Sequence, residues 1–404
     1  MGTKRTYVQV FVLLWKRWQV SLYVAGFLAS LSAATVMTAA PWLVRNQLSG
    51  SKSAIGLTGG LGVGTYVLGC LIVGRYGRSL DPKRFVILSQ IIACVLWTAI
   101  GFVPRLWMLF ALLVIQGLAG SLFWGPMMGW VSTGHEGKRL NKSLGTFNLC
   151  WSVGAILGCF MGGYLYNVEY WLPFVICSCS TGAVFFFVVR VPAPKYRRQP
   201  GATQQADLPI QNPTLRTYRI MSRIALFTST LGFGVAAAPL AILLGSMSLT
   251  AEVHGITGAT YALARTFAFF LLVRTTRWHY KGGFLWACQI FAAAMIFAVG
   301  FCQAGWQVVV CVGAMGLSSA VMYKSSQFYW GSGGGQKSAN LALHEAVAGI
   351  GVVTGSIGGG ALAEWISIRR IYHVAAGCMI LAVLVETIVR SAQIRRNRVT
   401  PTYC

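Results

Sequence analysis

Acidic side chains are scarce in this chain: 8 Asp and Glu stand against 33 Lys and Arg in 404 residues. So few carboxylates leave no acidic cluster for paired acid-base work. Histidine is almost as sparse, with His135, His254, His279, His344 and His373 scattered and no HExxH pair. A phosphate-cradling loop of the GxxxxGK[ST] type is missing, which excludes direct ATP hydrolysis. The 11 cysteines do not fill the gap, because nearly all lie in apolar runs, Cys404 ends the chain and Cys177-x-Cys179 lacks zinc spacing. They read as small packing residues. No cofactor, no metal and no catalytic constellation is expected. A multispan membrane enzyme would need a cluster of Asp, Glu or His at one membrane face, and none is found.

Charge of either sign is also low, 10% of residues, against roughly one-quarter in soluble domains. With 56% hydrophobic residues, the solvent is a bilayer. Apolar runs long enough to cross it as helix occur at roughly 18–43, 55–73, 85–103, 106–131, 144–166 and 171–189, then 222–244, 254–273, 282–301, 306–329, 339–362 and 372–389. These twelve runs are continuous rather than alternating, which excludes a closed barrel. No cleavable leader is expected, because the first run is long and lacks a small-residue cleavage site.

The bases decide the orientation. Connections on one side of the spans hold 27 Lys and Arg and those on the other hold 5, with Arg265 inside a span. This asymmetry predicts both termini in the cytoplasm, in the plasma or inner membrane. Bases dispersed through short loops suit anionic lipid headgroups on the cytoplasmic face rather than a nucleic-acid surface.

The chain also repeats itself. At an offset of 199, Gly56, Thr58, Gly59, Arg75, Arg78 and Gln90 meet Gly255, Thr257, Gly258, Arg274, Arg277 and Gln289. After a two-residue shortening, Gly154, Gly158, Gly162 and Gly163 meet Gly351, Gly355, Gly359 and Gly360, and Ala39-Ala40-Pro41 meets Ala237-Ala238-Pro239 at offset 198. A period this long means two homologous halves. Residues 190–221, with Pro192, Pro194, Pro200, Pro209 and Pro213 among polar and basic residues, form the linker. The expected organisation is an all-α membrane protein: a six-helix bundle at 1–189, a cytoplasmic linker at 190–221, a second six-helix bundle at 222–389 and a basic tail at 390–404.

Two segments carry motif-like spacing. After the second span the chain reads Cys70-Leu-Ile-Val-Gly-Arg75-Tyr-Gly77-Arg78-Ser79, and the fifth span carries Gly145, Gly154, Gly158, Gly162 and Gly163. With two parallel six-helix repeats, these residues resemble the major facilitator superfamily (MFS). Arg75, Gly77 and Arg78 match its loop motif G-x-L-x-D-R-x-G-R-R, while Gly74 stands at the family's Asp and Asp81 follows in the loop. Arg274 and Arg277 form the second-half counterpart. The glycines match an exporter-associated motif, with Cys159, and Ser356 in the second copy, at the family's Pro. The resemblance implies an MFS fold of 12 transmembrane helices in two pseudo-symmetric bundles that rock about a central site. Arg75, Gly77, Arg78, Asp81, Arg274 and Arg277 would then gate, and the glycines would serve as packing and sliding contacts. The implied activity is secondary transport of a small molecule, with proton-coupled export favoured by the glycine spacing. Uptake of an organic anion or sugar-like solute, and a non-transporting sensor, are the alternatives. A monomer is expected.

Ionisable residues inside spans are costly and point to function. Arg265 lies near the middle of the eighth span, suited either to an anionic substrate group or to an ion pair with a neighbouring helix. Tyr66 is its repeat partner, and Tyr261 lies one turn away. Glu345 enters the eleventh span behind His344, as a candidate proton carrier with His344 as relay, or as a helix-start carboxylate near Lys337. Its repeat partner is Asn148, with Trp151 one turn on. Glu386 can reach Arg390 at i+4 and snorkel. The resemblance adds Trp124 and Tyr323, repeat-related residues on helices that border the family's cavity, and Lys324 follows directly.

Overall fold

The computed structural model describes residues 2–76, 81–132, 137–192, 213–275, 277–331 and 337–399, and among them there is helix and no strand. The first half contains α1 (Gly2–Asn46), α2 (Lys52–Tyr76), α3 (Pro82–Gly101), α4 (Leu106–Ser132), α5 (Gly137–Val168) and α6 (Leu172–Val189). The second contains α7 (Pro213–Val235), α8 (Ala238–Ser246), α9 (Ala251–Arg274), α10 (Gly282–Val299), α11 (Gly305–Gly331), α12 (Lys337–Trp365) and α13 (Ile368–Val399). Eleven helices are long and apolar enough to cross a membrane, and α7 with α8 makes a twelfth span bent by 40°. Both termini therefore lie at one end of the molecule. Arg45, Lys52, Arg105, Arg369 and Arg370 lie at the other, called here the far end.

The bend corrects the expectation of one continuous seventh span. Pro239 has no N–H to offer the preceding turn, yet its repeat partner Pro41 sits inside an unbroken α1. The neighbours differ. Where the first copy has Ala34 and Val36 the second has Gly232 and Gly234, and each glycine costs a helix about 1 kcal/mol relative to alanine. The linker also ends earlier than expected: α7 starts at Pro213, so Arg216 and Arg219 are helical. Of the expected linker, 193–212 lies outside the described residues.

Packing repeats with the sequence. In the first half α1 lies on α5 and α6, α2 on α4, and α3 on α4 and α6; in the second, α7 lies on α12 and α13, α9 on α11, and α10 on α11 and α13. The halves meet along α2 with α12 and along α5 with α9, which are repeat-related pairs. Large apolar side chains stay exposed around the outside, among them Val95, Phe267, Leu381 and Ile388, as a lipid-facing surface requires. Trp107 and Trp306, repeat partners at the far ends of α4 and α11, are 64% and 68% exposed and suit an interfacial aromatic belt.

The glycines divide between two tasks. A Cβ on Gly154, Gly158 or Gly162 would strike the α1 carbonyls of Phe27, Leu31 and Thr35, and one on Gly351 or Gly355 would strike those of Phe227 and Leu231 on α7. Gly359 faces the Pro239 ring, and Gly145 faces open space. These stripes therefore hold each bundle together. The halves touch at the next residue round the helix, about 100° on. A Cβ on Gly360 would lie 2.6 Å from the Gly56 Cα, and one on Gly163 would lie 3.0 Å from the Gly255 Cα. One turn deeper, Gly59 faces Ser356 and Gly258 faces Cys159.

Glu386 does not snorkel. It is fully buried and accepts from Gln289 Nε2 at 2.6 Å, while Gln289 Oε1 accepts from Thr228 Oγ1 at 3.2 Å. Arg390 lies over the Trp286 ring, 4.8 Å from its centroid.

Candidate functional site

The far end is latched by exchanged helix termini. Lys52 Nζ, at the start of α2, donates to Ala363 O in the last turn of α12 at 2.8 Å, and Glu364 Oε1 accepts from the Ser53 N–H at 2.9 Å. Each half thus satisfies backbone groups that the other half's helix end leaves unpaired. Arg45 Nη1 donates to Ala241 O of α8 at 2.9 Å, and the buried Trp42 Nε1 donates to His254 Nδ1 at 3.0 Å. Tyr166 in turn donates to Trp42 O at 2.8 Å.

Beneath the latch, half-buried polar side chains from both halves face one another. At 1.5 Å per residue, Arg265 lies about 21 Å from the far end of α9 and Glu345 about 30 Å from the far end of α12. Arg265 Cζ sits 5.3 Å from the Trp151 centroid across the interface and 5.5 Å from Tyr261 within its own bundle. Its Nε is buried without a hydrogen-bond partner, and among the described residues no carboxylate lies within 4.0 Å of it. The ion-pair alternative is therefore absent from this conformation. Tyr261 shares a 2.6 Å hydrogen bond with Ser319, whose hydroxyl accepts from Ser229 at 3.0 Å. This fixes the aromatic wall behind the guanidinium.

Tyr323 donates to Glu345 Oε1 at 3.0 Å and lies within electrostatic reach of Arg265. His344 is 1% exposed, its Nδ1 is 2.8 Å from Ser326 Oγ, and its Nε2 stands 3.9 Å from Glu345 Oε1. A quarter of the Glu345 side chain stays exposed, and Tyr323 engages only its Oε1. From α2, Tyr66 and Cys70 lie within electrostatic reach of Glu345. On α5, Trp151 Nε1 donates to Asn148 Oδ1 at 3.0 Å, and Trp124 meets Trp151 edge-on with centroids 6.5 Å apart. The arrangement is a broken two-fold: Tyr66, repeat partner of Arg265, faces Glu345, while Asn148, repeat partner of Glu345, holds the Trp151 that faces Arg265.

Lys324 stands apart from this cluster, half-buried and without a hydrogen bond or ion pair among the described residues. The loop residues also lie apart. Asp81 accepts from the Lys83 N–H at 2.9 Å as the N-cap of α3. Arg274 covers Phe270 at 3.9 Å, and Arg75 and Arg277 are exposed. Gly77 and Arg78 lie outside the described residues. Sequence reasoning missed Ser229, Ser319 and Cys70, small polar residues common in apolar spans, and it missed the latch. Only Arg45 and Lys52 in the first far-end loop, with Glu364 in a chain of few acids, signal the latch.

A family profile described as Major Facilitator Superfamily matches residues 22–329. Among solved structures, the chain is similar to a bacterial homologue of the human lysosomal transporter Spinster in an inward-facing and occupied conformation (12% identity, 97% of this chain and 98% of that one, TM-score 0.71). It is also similar to the nucleoside transporter NupG (13% identity, 92% and 98%, TM-score 0.66). No curated protein sequence matches the chain significantly.

Proposed function

Because the chain belongs to the major facilitator superfamily and is thus a secondary transporter, we propose that it carries a small organic anion by alternating access, exporting it in exchange for protons bound at Glu345. The observation that carries this reading is Arg265: a cation between the halves, backed by Trp151 and Tyr261, with a buried unpartnered Nε and no carboxylate partner. Uncompensated guanidinium in such a place suits a carboxylate or phosphate. Tyr323 touches the Glu345 carboxylate and feels the Arg265 charge, so anion binding and protonation are coupled through one hydroxyl. The glycine spacing on α5 and α12 favours export.

With the termini in the cytoplasm of the plasma or inner membrane, as the base asymmetry implies, the latched far end makes this the inward-facing state. The protein works as a monomer, and anionic lipid headgroups face its cytoplasmic bases. In proteoliposomes, a carboxylate or phosphate identified because it raises the thermal midpoint of the purified protein is expected to accumulate with a pH gradient. Arg265→Gln is expected to abolish the flux, and the stabilisation that the transported anion adds beyond that of inorganic phosphate or acetate, while elution volume and helicity stay unchanged. Undiminished flux in Arg265→Gln overturns the anion site, and a ligand that binds but never moves makes the protein a sensor.

A further inference from the structure

Arg223 lies on α7 toward the termini end of the second bundle and adjoins the Arg265 cluster through His344. Its guanidinium is stacked on Trp330 of α11, with Cζ 3.2 Å from the ring centroid. Arg219, one turn earlier, reaches the same ring at 5.1 Å and donates from Nε to Tyr329 O at 2.8 Å. Arg219 and Arg223 feel each other's charge, and His344 feels that of Arg223. Two guanidinium groups and an imidazole thus converge between α7, α11 and α12. Among the described residues no carboxylate lies within 4.0 Å of Arg223, and Glu345, beside His344, is held by Tyr323.

The unused donors are specific. Among the described residues, Nε and Nη2 of Arg223 are both buried and both without a hydrogen-bond partner, as is Nε2 of His344. Nε and Nη2 form one edge of the guanidinium plane, the two-pronged edge that matches a carboxylate or a phosphate. Stacking on Trp330 uses the face of the plane and leaves that edge free. Buried donors without partners are costly, and two on one edge, beside a further base, define what would satisfy them. Neither arginine has a basic repeat partner: at offsets of 198 and 199 the first half offers Ser21 or Val20 for Arg219 and Ala25 or Val24 for Arg223.

We infer that Arg223, with Arg219 and His344 around it, forms a second oxyanion site that takes a phosphate or carboxylate group at the mouth of the second bundle. The group belongs either to a dissolved solute on its way to Arg265 or to an anionic lipid headgroup. The site does not depend on the anion site proposed at Arg265.

The test uses the purified full-length protein in maltoside micelles, with thermal unfolding followed in inorganic phosphate or acetate against chloride at equal ionic strength. Phosphate or acetate is expected to raise the midpoint of the wild-type and Arg265→Gln proteins and to leave Arg223→Gln unmoved. Arg223→Lys keeps the charge but loses the two-pronged edge, so its dissociation constant should rise by roughly tenfold, and it decides the matter if Arg223→Gln does not fold. Adding phosphatidylglycerol separates the sources: a headgroup site is stabilised by the lipid and then ignores phosphate, whereas a solute site still responds to phosphate. Equal shifts in the wild-type, Arg223→Gln and Arg223→Lys proteins, or a shift lost in Arg265→Gln, would overturn the proposal.

Discussion

Arg265 and Glu345 both bear on Tyr323, yet they form no ion pair. A direct pair would neutralise both charges and leave neither free for a ligand or a proton. With the Tyr323 hydroxyl bearing on both, an anion bound at Arg265 as proposed would change the field at Glu345 without displacing it. Glu345→Gln keeps the shape and the Tyr323 contact but holds no exchangeable proton. It is expected to bind the anion with near wild-type affinity while flux loses its response to a pH gradient; flux in Glu345→Gln that still follows the gradient sinks the proton-carrier role. Both residues were legible in the sequence because a charge inside an apolar run is costly and therefore rare. Arg223 was not, because it borders a basic linker where one more arginine carries no signal. Glu386 was misread as a snorkelling partner of Arg390 since i+4 spacing shows which residues can meet, not which face turns inward.

At the scale of helices, the fifth- and eleventh-span stripes and the contacts between halves are separate features on adjacent faces. Gly154, Gly158 and Gly162 seat α5 on α1, and Gly351 and Gly355 seat α12 on α7, so these glycines stiffen each bundle into a rigid body. Gly163 and Gly360 alone of the stripe cross to the other half. Gly360→Ala would set a methyl 2.6 Å from the Gly56 Cα, and forcing such a methyl into a packed contact costs about 1–3 kcal/mol. Only the latched conformation pays this, so the population should move toward the state open at the far end by roughly five- to 150-fold. Spin-label distances across the far end of α2 and α12 would report it as a longer component. An unchanged distribution would mean that this contact does not govern closure.

Across the whole molecule, the far-end latch adds helix-end hydrogen bonds and one buried Trp-His pair to an apolar cluster that runs from Trp42, Leu43 and Ile55 to Leu240, Leu243 and Ala251. Such contacts are modest singly, about 0.5–1.5 kcal/mol each, which suits an interface that would open in each turn of the proposed alternating-access cycle. Replacing Lys52 and Glu364 together with alanine is therefore expected to leave the fold intact and raise reactivity of a cysteine placed in the α2–α12 contact toward a membrane-impermeant maleimide by roughly five- to thirtyfold, the effect of one or two kcal/mol. Unaltered labelling would assign closure to the glycine contacts alone.

Hydropathy, the placement of bases and the internal offset are written along the chain, and they determined the span count, the duplicated halves and the rarity of buried charge, because each depends on neighbouring residues or on comparing one copy with the other. The break at Pro239 was beyond them, since Pro41 reads alike and the difference lies in surrounding glycines. Which residues of one half face which of the other was decided only by tertiary structure. Tyr66 meets Glu345, and Trp151 meets Arg265, through the crossed packing of α2 on α12 and α5 on α9, and no local periodicity records how two bundles are rotated about their common axis.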